Sequence, residues 1–318
     1  MRYAVISDVH GNKPALDAVL EDARSQGIEN FIVAGDYCLS GPRPDKCLST
    51  LRELERAVII RGNEEYYLEY LKDKDQSLWT DGQMQISYWN CRNISRENLD
   101  WLLSLVPYRE FVSDGITIHV SHQFDDYIKG LPRLFFTHSS GIVERYKDEG
   151  ISHERLHRDI TDAIDRDDRL KTLISSLEEG IYIFGHSHIQ WSYKVPGKEV
   201  RLINPGSCGL PLDGVMNTLP YTILDIADNG NVSIEERRVP FDLQSYADSI
   251  KDTTQYTEAR VWSEVIMREL KSSREHLSFF LKFVEEYAGS IGDEVRPFTV
   301  ETWENAYREW IRSQDPNL

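Results

Sequence analysis

The chain has 318 residues, 40% of them hydrophobic and 28% charged, a globular composition with enough apolar residues for one large core or a core with an appendage. Its 36 basic and 53 acidic residues leave a formal charge of −17, a surface that repels phosphate polyanions and argues against a protein that coats DNA or RNA. No apolar run reaches the roughly 18 residues of a membrane span, and no signal peptide is visible. The four cysteines (Cys38, Cys47, Cys91, Cys208) are isolated, forming neither a zinc knuckle nor a disulfide framework. A cytoplasmic location without a membrane partner is the expectation.

Taken in chain order, Tyr3-Ala4-Val5-Ile6-Ser7 predicts a buried strand that runs into Asp8, Val9 and His10. Burying a carboxylate and an imidazole there costs several kcal/mol unless a partner compensates. The following stretch predicts a helix, with Pro14 in its first turn, Leu16, Val19, Leu20 and Ala23 at helical spacing, and Gly27 as its stop. Phe31–Ala34 is a second strand ending in Gly35-Asp36, and a second helix begins near Pro44. Ala57–Ile60 is a third strand, ending in Arg61-Gly62-Asn63. This alternation implies a parallel βαβαβ unit.

Residues 64–110 read as helical and aromatic-rich, including a helix capped by Ser95 with a stripe through Leu99, Leu102, Leu103 and Val106. Residues 116–122 form a strand ending at His122; 125–180 read as part loop, part helix; Ile181–Phe184 is a strand ending in Gly185-His186-Ser187-His188. Hairpins follow, one across Pro196-Gly197 and one across Asp228-Asn229-Gly230. From about 241 the chain turns amphipathic and helical, with a break at 289–297. The expected organisation is a domain over 1–240 and a helical extension over 241–318. Its stripe of Trp262, Phe279, Phe280, Phe283, Trp303 and Trp310 would pack on that domain or form a homodimer interface.

Five strand ends thus carry Asp8 and His10, Asp36, Asn63, His122, and His186 with His188. Ligands of α/β sheets gather beyond the carboxyl ends of strands. Carboxylate, amide oxygen and imidazole are donors that first-row divalent metals accept. Seven such groups suffice for two ions if one carboxylate bridges them, and a cation is the partner that compensates the buried Asp8 and His10.

The motifs D-x-H (Asp8, His10), G-D…G-P (Gly35, Asp36, Gly41, Pro42), G-N-x-E (Gly62, Asn63, Glu65), the strand-end His122 and G-H-S-H (185–188) resemble, in order and spacing, those of the calcineurin-like metallophosphoesterases. Asn204-Pro205-Gly206-Ser207 resembles a segment of the bacterial phosphodiesterase branch. The resemblance covers roughly residues 1–240. It implies an α/β fold, a four-layer α/β/β/α sandwich with the helical extension added. It implies two divalent metal ions, manganese or iron with zinc as an alternative. One would be held by Asp8, His10, Asp36 and His188, the other by Asp36, Asn63, His122 and His186, with Asp36 bridging. Asp36, Asn63 and His122 would carry catalysis, and Asn63 and Arg61 would face the phosphate, Arg61 being equally readable as a surface ion pair. The nucleophile would be a hydroxide between the metals.

One position departs from the pattern. Ser/Thr phosphatases of the superfamily place a leaving-group-protonating His after G-N, where this chain has Glu64, and the protein-phosphatase G-D-x-x-D-R-G is absent. Protein dephosphorylation is therefore disfavoured, and leaving groups stable as anions are favoured. The expected partner is a small phosphorylated substrate, such as a phosphodiester, a phosphoanhydride or a dinucleoside polyphosphate. No nucleic-acid polymer is expected. A broad phosphomonoesterase and a metal-binding scaffold without turnover are the competing readings. His119 is expected to pack or hydrogen-bond within its strand, His138 to be solvated or at the site mouth, His153 and His157 to be solvated, and Asn204 to form a turn or donate hydrogen bonds behind the ligands, not to be a ligand itself.

Overall fold

Short buried runs of β-branched residues set the architecture. In the computed structural model, which describes residues 1–314, β1 (Arg2–Ile6), β2 (Asn30–Ala34) and β3 (Ala57–Ile60) lie parallel, joined through α1 (Lys13–Ser25) and α2 (Pro44–Arg52). The Asn12 side chain accepts from the Ala15 N–H to start α1, and Pro14 sits in its first turn. Next come α3 (Glu65–Leu71), α4 (Gln85–Asn93) and α5 (Arg96–Ser104).

A hairpin of β4 (Tyr108–Ser113) and β5 (Ile116–Ser121) follows, then α6 (Ser140–Tyr146), α7 (His153–Arg166) and α8 (Asp168–Ser175). β6 (Gly180–Ile183) lies parallel to β5, and β7 (Gln190–Lys194) pairs antiparallel with β8 (Val200–Pro205). The chain then returns to the first sheet with β9 (Thr218–Ile226) and β10 (Val232–Pro240), β9 lying antiparallel to β1. The sheet orders are β10-β9-β1-β2-β3 and β4-β5-β6-β8-β7.

The two sheets stack face to face. Val5, Ile32, Ile60 and Leu224 of one meet Ile118, Val120, Ile181, Ile183 and Ile203 of the other in a shared apolar layer. Outside the first sheet, Leu16, Leu20, Leu48, Leu51 and Leu102 cover Ile6 and Val33. Outside the second, Leu156, Ile160, Ile164 and Leu170 cover Phe184, Trp191 and Leu202. The order of layers is α/β/β/α.

After β10 come α9 (Leu243–Ser249), α10 (Thr254–Glu258), α11 (Arg260–Ser272), α12 (Leu277–Ile291) and α13 (Val300–Gln314). Leu243, Ile266 and Leu270 join the core outside the first sheet. Val261, Val265, Phe280, Val284, Trp303 and Trp310 form a smaller core of their own. Among the described residues no helix is long and apolar enough to cross a membrane.

Three local expectations need correction. The end of the 64–110 segment is not helical, since Tyr108–Ser113 is an edge strand whose Tyr108, Arg109, Glu110 and Val112 face solvent. Val106 lies beyond the end of α5 and is exposed. The helical run after 241 breaks before 289–297 as well, between α11 and α12, because Ser273 takes a left-handed conformation (φ 50°) at the end of α11.

Candidate metal centre

Each parallel strand delivers its side chains through the loop at its carboxyl end. β1 leads into Asp8 and His10, β2 into Asp36, and β3 into Asn63; from the second sheet β5 leads into His122 and β6 into His186 and His188. The loops are tied to one another by backbone hydrogen bonds. Asp8 N–H donates to Gly35 O (3.0 Å), His10 N–H to Asp36 O (3.1 Å), Gly185 N–H to His122 O (3.0 Å), and Gly209 N–H to Asp8 O (3.1 Å). Asp8, His10, Asp36, His186 and His188 all have positive φ, five of the ten non-glycine residues so placed among the described ones. That concentration of an unfavourable conformation is what a site that aims side chains inward requires. Two motif glycines follow from crowding: a Cβ on Gly62 would overlap Asp36 Oδ1, and one on Gly185 would overlap Ser7 Oγ.

The side chains converge as two sets of donor atoms. Asp8, His10 and His188 bring one atom each within 4.8 Å of one another, and so do Asp36, His122 and His186. A third grouping, His10, Asp36 and Glu64, makes Asp36 common to both sides. Hydrogen bonds fix the ring tautomers. His122 Nδ1–H donates to Ala34 O (2.6 Å) and His188 Nδ1–H to Leu210 O (2.8 Å), so both Nε2 atoms present lone pairs inward. His10 Nδ1 faces Glu64 Oε2 at 3.1 Å, which likewise turns Nε2 inward.

Those lone pairs meet other acceptors. His122 Nε2 lies 3.0 Å from Asp36 Oδ2, and His188 Nε2 lies 3.0 Å from His10 Nε2 and 3.4 Å from Asp8 Oδ1. Asp8 Oδ1 and His122 Nε2 are buried and, despite these short distances, make no hydrogen bond among the described residues. Such crowding is repulsive without positive charge at its centre. Without a metal, protons supply it. Burial opposes the charged form of His122, but Asp36 and Asp8 outweigh burial and raise it to about 10. For Asp36 burial is likewise outweighed, here by His122 and His10, which hold its carboxyl well below the usual range. His186, more buried than compensated and next to His122, is lowered to about 4. The donor set and its orphaned atoms fit divalent cations of the first-row type.

Around these groups Glu65 joins the loops. Its Oε1 accepts from Tyr37 N–H (2.8 Å), and Oε2 accepts from Gly62 N–H (2.7 Å) and Asp36 N–H (3.2 Å). Burial and the nearby Asp36 carboxylate push the Glu65 acid up to about 8, against three N–H donors that favour the anion.

A family model described as the calcineurin-like phosphoesterase superfamily domain matches residues 1–229. The chain belongs to the calcineurin-like phosphoesterase superfamily. Its members are metal-dependent, in keeping with the donor groups described above. The chain is similar to an uncharacterized protein of Methanocaldococcus jannaschii, 29% identical over 261 residues that cover 78% of this chain and 90% of that one. A metallophosphoesterase from Sphaerobacter thermophilus shares the fold with TM-score 0.57 at 20% identity, over 86% of this chain and 100% of that one. So does a hypothetical protein from Pyrococcus horikoshii, with TM-score 0.55 at 18% identity, over 86% and 99%.

Of the residues singled out in the sequence of this calcineurin-like chain, Asp8, His10, Asp36, His122, His186 and His188 come together as described, and Asn63 borders the cleft beside His122. Arg61 lines the same cleft, and its Nη1 pairs with Glu69 Oε2 at 3.0 Å, the ion pair that was one of its two sequence readings. His119 stacks on Tyr182 within the sheet, and His138 borders the cavities next to His186. Asn204 donates to Gly185 O (2.9 Å) and Ser187 Oγ (3.0 Å), holding the G-H-S-H loop. His153 and His157 are not simply solvated; both lie against Glu236, each at 3.2 Å. Sequence reasoning missed Gln123, whose Nε2 is 3.4 Å from Asn63 Oδ1. It immediately follows His122, and nothing else in the sequence marks it.

Proposed function

We propose that this protein is a binuclear metal-dependent phosphoesterase that hydrolyses a small phosphodiester or phosphoanhydride. One observation carries the reading: carboxylate oxygens and inward-turned imidazole nitrogens from both sheets converge, and among the described residues Asp8 Oδ1 and His122 Nε2 have no hydrogen-bond partner. One cation would be held by Asp8, His10, Asp36 and His188, the other by Asp36, Asn63, His122 and His186. Manganese or iron suits these donors, and zinc also fits. Such ions, when bound, supply Lewis acidity toward phosphoryl oxygens and a water of lowered pKa.

The chain's own groups do the remaining work. Asn63 and Arg61, at the wall of the cleft beside His122, face the substrate's phosphoryl oxygens. Glu64 Oε2 faces His10 Nδ1 and is engaged in holding that ring, not in giving a proton to a leaving group. An alkoxide, whose parent alcohol has a pKa of ~16, needs that proton at pH 7, whereas an aryl oxide or a phosphate departs as the anion. The protein should therefore prefer diesters and anhydrides with good leaving groups.

With Mn²⁺ supplied, bis(p-nitrophenyl) phosphate should turn over faster than an alkyl phosphomonoester, and metal analysis should find two ions per chain. Asp36→Asn should lower turnover at least about a hundredfold and reduce the metal content. An alkyl monoester turned over as fast, or an Asp36→Asn protein as active as wild type, would refute the proposal.

A further inference from the structure

The cleft beside His122 continues past the groups just assigned to the phosphate. It encloses about 520 Å³ between Arg61, Asn63, Tyr66, Tyr108, His122 and Gln123. Its outer walls carry exposed aromatic rings. Tyr66 is 46% and Tyr108 43% exposed, whereas Tyr37 and Tyr221 are wholly buried. Neither exposed ring is loose. The Arg61 guanidinium lies over the Tyr66 ring, 4.6 Å from its centroid, and is itself anchored on Glu69. The Tyr108 hydroxyl is fixed by Glu110 (3.0 Å) and His119 (2.9 Å). Arg61 Nε is buried and has no hydrogen-bond partner among the described residues.

Two tethered aromatic faces and a guanidinium plane, beginning next to a phosphate position, have the chemistry of a stacking surface. We propose that this cleft binds a planar aromatic group, a nucleobase or an aryl ring, carried by the substrate's phosphoryl group. The inference rests on the phosphoesterase reading and narrows its substrate class. Across Gln123, which borders both spaces, a second cavity of about 240 Å³ opens beside His186, with Phe184 and Trp191 in its wall. A diester or a dinucleoside polyphosphate has a second arm to fill it; a monoester has none.

The test is equilibrium binding to the Mn²⁺-loaded protein, with AMP and ribose 5-phosphate as probes that differ only in the base. AMP should bind roughly tenfold more tightly, the range of base–aromatic stacking. Tyr66→Ala, at an exposed position, should bring the ratio of dissociation constants toward one; Tyr66→Trp should keep it; Tyr108→Ala should lower it in part. A wild-type ratio near one, or a ratio untouched in Tyr66→Ala, overturns the inference. Because binding needs no turnover, a protein that shows the ratio yet hydrolyses nothing refutes the hydrolase reading and leaves the subsite standing. An active hydrolase with a ratio of one refutes the subsite alone.

Discussion

Glu65→Gln changes a single atom type at the junction of the two loops that carry Asp36 and Asn63. The carboxylate offers two acceptor oxygens and takes three backbone N–H groups, from Tyr37, Gly62 and Asp36. It is completely buried, so water cannot replace any of them. An amide has one acceptor oxygen. In its better orientation that oxygen keeps Gly62 and Asp36, and the new NH₂ then meets the Tyr37 N–H, donor against donor. A buried unsatisfied donor costs about 1–3 kcal/mol, and the two retained bonds lose the charge that makes such bonds worth roughly 1.5–3 kcal/mol each.

Removing a buried carboxylate offsets part of this, since burial and Asp36 oppose its ionisation. The expected net loss is roughly 2–4 kcal/mol, read as the shift in free energy of urea unfolding at pH 9, where an acid raised to about 8 is ionised. Glu65→Ala, which strands all three donors, should lose more. With the Asp36 loop loosened, Mn²⁺ affinity should also fall by about 10–100-fold. A Gln variant within about 0.5 kcal/mol of wild type, with unchanged Mn²⁺ affinity, would mean that Glu65 folds as the neutral acid. The account of the loops would then be wrong.

Glu64→Ala should weaken Mn²⁺ binding about 10–100-fold in a calorimetric titration, because His10 Nδ1 loses the carboxylate 3.1 Å away, and Glu64→Gln, which retains an acceptor oxygen, should recover part of it. Unaltered affinity in Glu64→Ala would show that the contact does not orient the ring. Burial raises the Glu236 acid, but hydrogen bonds with His153, His157 and Ser192 prevail and hold it at about 2, below its ordinary 4.5. A depressed carboxyl stabilises the fold above pH 4.5 and loses that contribution as pH falls toward 2, a difference of roughly 3 kcal/mol at most. The stability advantage of wild type over Glu236→Gln should therefore be full at pH 6 and shrink steadily below pH 4.5; an advantage that is constant down to pH 3 would contradict it.

The parts of the fold that were legible are those where burial on both faces leaves a continuous apolar run. β1, β2 and β6 are of this kind, and each stops at a residue too polar to belong to the core, which is why Asp8, Asp36 and His186 stood out. β4 escaped notice for the opposite reason. As an edge strand it exposes Tyr108, Arg109, Glu110 and Val112, and only its pairing with β5 across Asp114-Gly115 defines it. The bend at Ser273 carries no glycine or proline, so the helical pattern reads straight through it. His153 and His157 looked solvated because their partner, Glu236, is 79 residues beyond His157, on a strand of the other sheet. Glu65 was visible as a letter in G-N-x-E, but its three partners are backbone N–H groups, which no sequence displays.

The site depends on the sandwich as a whole. Asp8, His10, Asp36 and Asn63 come from the sheet containing β1, while His122, His186 and His188 come from the sheet containing β5 and β6. Neither set makes the centre alone. The close pairs that call for positive charge, His122 with Asp36 and His188 with Asp8, each span the two sheets. A cation bound there is bound to the packed form only, so its binding free energy adds to the apolar contact between Val5, Ile32, Ile118 and Ile183 that holds the sheets together. Five left-handed residues and the crowded Gly62 and Gly185 oppose folding locally. A buried inter-sheet core is what lets the chain hold them in that arrangement before any ion arrives.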